Sequence, residues 1–152
     1  MKLSEEFMNQ DQINNMKLEN QLCFPLYAAS RIITSKYTQF LKPLGLTYTQ
    51  YIVFLVLWEK DGITVGQLCE KLYLDNGTIT PIIKKMQTQG YLERKRSSND
   101  DRIVIINLTD KGKELQEKAK NVPQLMSECV ELSDNKKMQL YNLLHEFLDN
   151  QK

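Results

Sequence analysis

The sequence predicts a mainly α-helical chain with one small β-hairpin. Three observations lead there. Apolar residues recur at helical spacing through most of the chain, two Thr-x-x-Gln boxes open helices close together, and two β-branched segments flank one polar connector.

Leu18, Leu22, Leu26, Ile33 and Phe40 share mostly helical spacing, and Lys42-Pro43-Leu44-Gly45 is a turn, so a long first helix is expected from Met16 to about Leu41. Pro25 lies inside it. Its ring removes one amide donor and crowds the Gln21 carbonyl, which predicts a kink or a delayed helix start beside Cys23. Thr47-Tyr48-Thr49-Gln50 and Thr64-Val65-Gly66-Gln67 both match the capping box, and Ile63 with Leu68 can staple the second. The segment YTQYIVFLVLWEK is apolar almost all round, as a buried central helix would be, and ends near Asp61-Gly62.

A short helix over Val65 to Leu72 follows, then a tight connection through Leu74-Asp75-Asn76-Gly77. The next helix shows Ile79, Ile82, Ile83 and Met86 on one face and is stopped by Gly90. Its opposite face carries Thr78, Thr80, Lys84, Lys85 and Thr88, and Pro81 falls in or just after its first turn. YLERKR and RIVIINL flank Ser97-Ser98-Asn99-Asp100-Asp101 as a two-stranded hairpin. Thr109 is expected to cap a helix running past Ala119 to about Val130, with Pro123 as a kink point, and Ser133 a last helix ending near Asp149.

With 152 residues the chain suits one domain, or one protomer of an oligomer. Its 20 basic and 19 acidic side chains give no global excess, so any attraction to nucleic acid or membrane must be local. No apolar run approaches the roughly 20 residues that span a bilayer, and MKLSEEFMNQDQ lacks the apolar core of a secretory signal. A cytoplasmic protein without a membrane partner is therefore expected. Cys23, Cys69 and Cys129 are widely spaced, with neither CxxC nor a Cys/His zinc pattern, so no disulfide framework, metal or cofactor is expected.

The local charge signal lies between Asn76 and Arg102. Lys84, Lys85, Arg94, Lys95, Arg96 and Arg102 face only Glu93, Asp100 and Asp101 there, an excess of +3 in a chain of net charge +1. A helix with a hydroxyl-and-lysine face, preceded by a shorter helix and followed by a basic hairpin, has the order of a winged helix-turn-helix. Any one of these features would suit an ordinary solvated face; their order points to double-stranded DNA. With the second helix in the major groove, the hydroxyls of Thr78 and Thr80 would reach phosphates or base edges, Lys84 or Lys85 would add phosphate charge or contact guanine acceptors, and Arg102 at the hairpin tip would enter a narrow minor groove; Asn76, Pro81, Arg94 and Arg96 complete the DNA-binding candidates.

LENQLCFPLYAASR at 18–31, LGLTYTQYIVFLVLWE at 44–59, LYLDNGTITPIIKKM at 72–86 and RKRSSNDDRIVIINLT at 94–109 together resemble the MarR family of winged-helix repressors, in particular its organic-hydroperoxide-sensing OhrR branch. The resemblance covers nearly the whole chain. It implies a single MarR-type domain over 1–152, with intertwined dimerisation helices at about 17–41 and 110–150 and a DNA-binding region at about 47–109. It also implies a homodimer that sets two recognition helices about one DNA turn apart over an inverted-repeat operator.

Within that branch the cysteine of the LCF stretch is the peroxide sensor, which maps onto Cys23. Tyrosines reaching it from the other protomer map onto Tyr37 and Tyr48, with Tyr27 a weaker neighbour. Pro25 stands where the family usually has a small or aliphatic residue. Cys129 lies where some members carry a resolving cysteine, although its spacing from Val122, Leu125 and Met126 equally suits packing on an apolar helix face. Without a resolver, an oxidised Cys23 would react with a low-molecular-weight thiol or overoxidise.

From the residues alone, Cys23 and Cys69 would be small buried hydrophobes, and Tyr37 and Tyr48 core or interface aromatics. The function expected is a redox-sensing repressor, not an enzyme, released from its operator when organic hydroperoxide oxidises Cys23. The alternatives are a repressor released by a noncovalent aromatic ligand and a thiol peroxidase, for which the basic helix and wing have no use.

Overall fold

A computed structural model of the chain describes residues 12–96 and 103–151. From Cys23 onward the helices of the described residues are, in order, α1 (Cys23–Leu41), α2 (Tyr48–Glu59), α3 (Val65–Leu72), α4 (Asn76–Thr88), α5 (Asp110–Ala119), α6 (Val122–Glu128) and α7 (Asp134–Asp149). The strands are β1 (Ile63–Thr64), β2 (Leu92–Arg96) and β3 (Val104–Leu108), and short 3-10 turns occupy Leu18–Asn20 and Lys42–Leu44. By compactness the chain divides into one unit ending at Lys120 and another beginning at Asn121.

In the first unit, α2 is the centre, with Gln50, Tyr51, Val53, Phe54, Val56 and Leu57 buried. Both capping boxes form: Thr47 and Gln50 satisfy each other's amides at the start of α2, and Thr64 and Gln67 do so for α3. Ile63 and Leu68 are buried across the second start. Gly90 follows Gln89, the C-terminal cap of α4, with φ 76, a left-handed turn that ends the helix and leads into β2.

Of the two outcomes expected at Pro25 the structure shows the delayed start: α1 begins at Cys23 and not at Met16, so the ring falls in the first turn, where no intrahelical amide bond is lost. Two further expectations are corrected. The sheet has three strands in the order β1-β3-β2, because Ile63 and Thr64 pair with Ile106 and Ile105. Thr64 thus ends a strand and caps a helix at once. The single helix expected from Thr109 to about Val130 is two helices, with Pro123 in the first turn of α6. Thr109 does cap α5, its hydroxyl accepting from the Gly112 amide at 3.2 Å; Ser133 precedes α7 without a side-chain cap bond.

The second unit holds α6 and α7. Val122 and Met126 are buried, but α7 has no buried residue and exposes Met138, Tyr141, Leu143 and Phe147. In the first unit α1 likewise exposes Phe24, Leu26, Tyr27 and Ile32 and buries only Leu41. Apolar helix faces of this extent are the mark of an interaction surface. Among the described residues no single helix is long and apolar enough to cross a membrane.

Candidate nucleic-acid interface and thiol site

α3 and α4 form the helix-turn-helix. Tyr73 ends α3 with φ 52, a left-handed conformation uncommon for a residue other than glycine, and turns the chain sharply. Asp75 then caps α4: its Oδ1 accepts from the Thr78 amide at 2.9 Å and its Oδ2 from the Thr78 hydroxyl at 2.8 Å. These two donors hold the Asp75 carboxyl below the usual carboxylate range. Gly77 is needed beside it, because a Cβ there would lie 2.9 Å from Asp75 Oδ1. Neither the cap nor this requirement was expected, though an aspartate three residues before a threonine at a helix start is a readable signal.

Ile79, Ile83 and Met86 are buried, anchoring α4, while Ile82 is only half-buried. Asn76, Thr78, Pro81, Lys84 and Lys85 stand on the exposed side, and Thr80 is partly covered. The two threonine hydroxyls already donate inward, Thr78 to Asp75 and Thr80 to the Asn76 carbonyl at 2.6 Å. Only their acceptor capacity faces outward, so lysine and asparagine are the outward donors of this face.

The wing begins braced on this helix, since Arg94 Nε donates to Gln87 Oε1 at 2.7 Å. Lys95 pairs with Glu93 at 2.6 Å, and Arg96 is exposed at the end of β2. Arg102 lies outside the described residues. The strand register, Leu92 opposite Leu108 and Arg96 opposite Val104, points the apolar end of the hairpin at the core and the basic end away from it.

Behind the wing, α5 packs without a side chain at Gly112. A Cβ there would land on the Tyr91 carbonyl oxygen and lie 3.1 Å from Leu108 Cδ2. Trp58 Nε1 donates to the Gly112 carbonyl at 3.0 Å, and the Trp58 ring stacks on Phe54 with centroids 5.0 Å apart.

Cys23 is exposed at the first position of α1 among exposed apolar side chains, so it is not the buried small hydrophobe its neighbours alone would suggest. Phe24, Tyr27, Arg31 and Ile32 line an open groove beside it, in which Arg31 donates to the Tyr27 hydroxyl at 3.3 Å. Tyr37 and Tyr48 come together, ring centroids 4.8 Å apart, with buried Tyr51 5.8 Å from Tyr37. Burial raises the pKa of Tyr48, and burial followed by the adjacent Tyr48 phenol raises that of Tyr37. Both therefore remain proton donors well above neutral pH.

Cys23 and Tyr37 sit on the same helix, 14 positions apart, so about 21 Å of helical rise separates them. One protomer cannot close that gap. Cys69 is half-buried and donates to Asn76 Oδ1 at 3.3 Å; burial and then the nearby Asp75 carboxylate raise its pKa, which disfavours the nucleophilic thiolate. Cys129 follows the last residue of α6 and is half-buried, while Leu125 of its expected apolar face is exposed.

Comparison with known proteins places this geometry. A family model for the SarA/Rot transcriptional regulators matches residues 35–119. The chain is 44% identical over 140 residues to the organic hydroperoxide resistance transcriptional regulator of Bacillus subtilis (strain 168), covering 92% of this chain and 95% of that one. It is also similar to AbfR of Staphylococcus epidermidis. Reduced AbfR bound to DNA superposes with a TM-score of 0.74 at 34% identity, over 95% of this chain and 99% of that one. The overoxidized form bound to DNA gives 0.72 at 36% over the same shares, and the disulfide form 0.63 at 35% over 95% and 97%.

Proposed function

The chain belongs to the SarA/Rot family of MarR-like winged-helix transcriptional regulators, which bind DNA and are not enzymes, and from that premise we propose that it is a thiol-switched repressor acting as a cytoplasmic homodimer. The observation that carries the proposal is the exposed Cys23 at the start of an uncovered apolar helix, in a protomer whose own paired phenols are out of its reach.

A second copy supplies what the protomer lacks. Packing of α1 and α7 against their counterparts would cover the apolar faces and bring Tyr37 and Tyr48 of one protomer to Cys23 of the other. Two phenols donating to one sulfur stabilise the thiolate, which attacks the terminal oxygen of an organic hydroperoxide. The O–O bond breaks, the alcohol leaves after taking up a proton, and sulfur is oxidised to the sulfenic acid. A thiol then displaces water and forms a disulfide. Cys129 of the second protomer and a low-molecular-weight thiol are the two candidate donors. Leu22, Phe24 and Leu26 beside Cys23 would give the dimer an apolar pocket that favours organic hydroperoxides over hydrogen peroxide.

In the reduced state α4 enters successive major grooves of an inverted repeat. Lys84, Lys85, Arg94 and Arg96 bind phosphates, Asn76 and the flanking threonines reach base edges, and Arg102, outside the described residues, is the candidate for the minor groove. The disulfide displaces the helices that hold the two reading heads in register. Complete reversal of occupancy asks oxidation to favour the non-binding state by about 5.5 kcal/mol. The overoxidized relative found on DNA is the reason for assigning release to the disulfide and not to the sulfinic or sulfonic acid.

The test is binding to an inverted-repeat duplex from the chain's own promoter at fixed salt, before and after one equivalent of cumene hydroperoxide, for wild type, Cys23→Ser and Cys129→Ser. Release by wild type and retention by Cys23→Ser are expected. Release by Cys23→Ser as well would replace the redox reading by a noncovalent one, and sustained peroxide turnover without DNA binding would replace it by a peroxidase.

A further inference from the structure

Gln50 is the polar side chain buried in the core of the described residues, 2% exposed, and its amide spans two elements. Oε1 accepts from the Thr47 amide at 3.0 Å, closing the box that starts α2. Nε2 donates to Gln89 Oε1 at 2.7 Å, across 39 positions of sequence.

The two ends matter differently. Thr47 immediately precedes Tyr48, one of the paired phenols. Gln89 is the C-terminal cap of α4 and is itself anchored, its amide donating to the Lys85 carbonyl at 3.0 Å and its carbonyl accepting from Lys111 Nζ at 2.7 Å. The Gln50 side chain therefore joins the turn that carries a phenol to the far end of the helix that faces DNA. Apolar packing around it tolerates small slides, whereas a buried amide bonded at both ends fits one relative position and leaves polar atoms unpaired in any other.

We propose that Gln50 and Gln89 are a positioning pair that transmits displacement of Tyr48 to α4, so that the state of Cys23 is read at the DNA. The inference rests on the redox reading above and adds to it the route by which the switch acts.

The measurement is the ratio of dissociation constants for the inverted-repeat duplex, peroxide-treated over reduced, with Cys23 oxidation verified by mass in every sample. Gln89→Met removes the acceptor and leaves the capping box of α2 intact; its ratio should fall about tenfold below that of wild type, the scale of one coupling hydrogen bond. Gln89→Glu keeps an acceptor of the same reach and should hold the ratio within about threefold of wild type, a rescue that a merely structural loss would not show. The pair is overturned if Gln89→Met keeps the wild-type ratio, or if both variants lose it alike. Wild type that stays on DNA after oxidation removes the redox reading and the transmission with it; wild type that releases beside an equally responsive Gln89→Met removes the transmission alone.

Discussion

Gly112→Ala sets two forces against each other at the seat of the wing. Helix propensity alone predicts a gain, since alanine is better than glycine in a helix by about 1 kcal/mol. The packing predicts a larger loss. The new Cβ would overlap the Tyr91 carbonyl oxygen and lie 3.2 Å from the Tyr91 carbonyl carbon and 3.1 Å from Leu108 Cδ2. Two of those atoms are backbone. The Tyr91 oxygen also accepts from the Thr109 amide at 3.1 Å, so relief requires α5 to move away from the base of the hairpin. Overpacking of this kind costs about 3 kcal/mol, which leaves a net loss of about 2 kcal/mol after the propensity gain. For a chain of this size that is a fall of about 4–8 °C in Tm.

The same shift breaks the Trp58 hydrogen bond to the Gly112 carbonyl. Trp58 is the chain's only tryptophan, so its emission should move to longer wavelength in the variant while operator affinity drops with the displaced wing. Thermal melts and fluorescence read both effects. A variant as stable as wild type, with unchanged Trp58 emission, would refute the packing argument and leave propensity in control.

Asp75→Ala should weaken operator binding and speed amide exchange over residues 76–80, with Asp75→Asn close to wild type, because the cap acceptor orders the start of α4. The lowered carboxyl gives the sign with pH: the cap's contribution is present above about 3.9, the unfolded value, and is lost as pH falls through the still lower folded value. Lys84→Ala should weaken all duplexes similarly and reduce the slope of log affinity against log salt by about 0.9 for each phosphate that is no longer neutralised; an unchanged slope would remove Lys84 from the interface. Burial, then the phenols of Tyr37 and Tyr48, push Tyr51 up to about 12. The folded state therefore holds that proton more tightly. Its contribution is complete below about 10 and is lost as pH rises toward 12, so Tyr51→Phe should flatten the alkaline fall in stability seen in denaturant melts.

Short-range patterns were the legible part of the chain. The Thr47 and Thr64 boxes, the apolar centre YTQYIVFLVLWEK and the β-branched strand at 104–108 each act within a few residues, so the sequence carries their signal locally, while the polar connector after Arg96 lies outside the described residues. β1 escaped because two residues are too few for a strand pattern and Thr64 already reads as a cap. Pro123 marks the start of α6, and spacing alone could not separate a kink from a break.

The basic face of α4 and the hairpin could be read from the order of elements, whereas roles at the thiol site came only from family resemblance. Cys23 between Leu22 and Phe24 reads as a core residue, and only the fold exposes it. Tyr51 reads as one more apolar residue of α2, and nothing local places it beside Tyr37. The Gln50 bond to Gln89 and the seat of Gly112 against Tyr91 join residues far apart in sequence, and such pairings leave no spacing to read.

The central claim is that oxidation at Cys23 releases DNA. It is tested most directly by titrating the operator-bound protein with cumene hydroperoxide while following, in the same samples, bound duplex and the mass of the Cys23 peptide. Release that tracks conversion of Cys23 to a disulfide, and is restored by dithiothreitol, is the predicted result. Full conversion of Cys23 to a disulfide with the duplex still bound would contradict it.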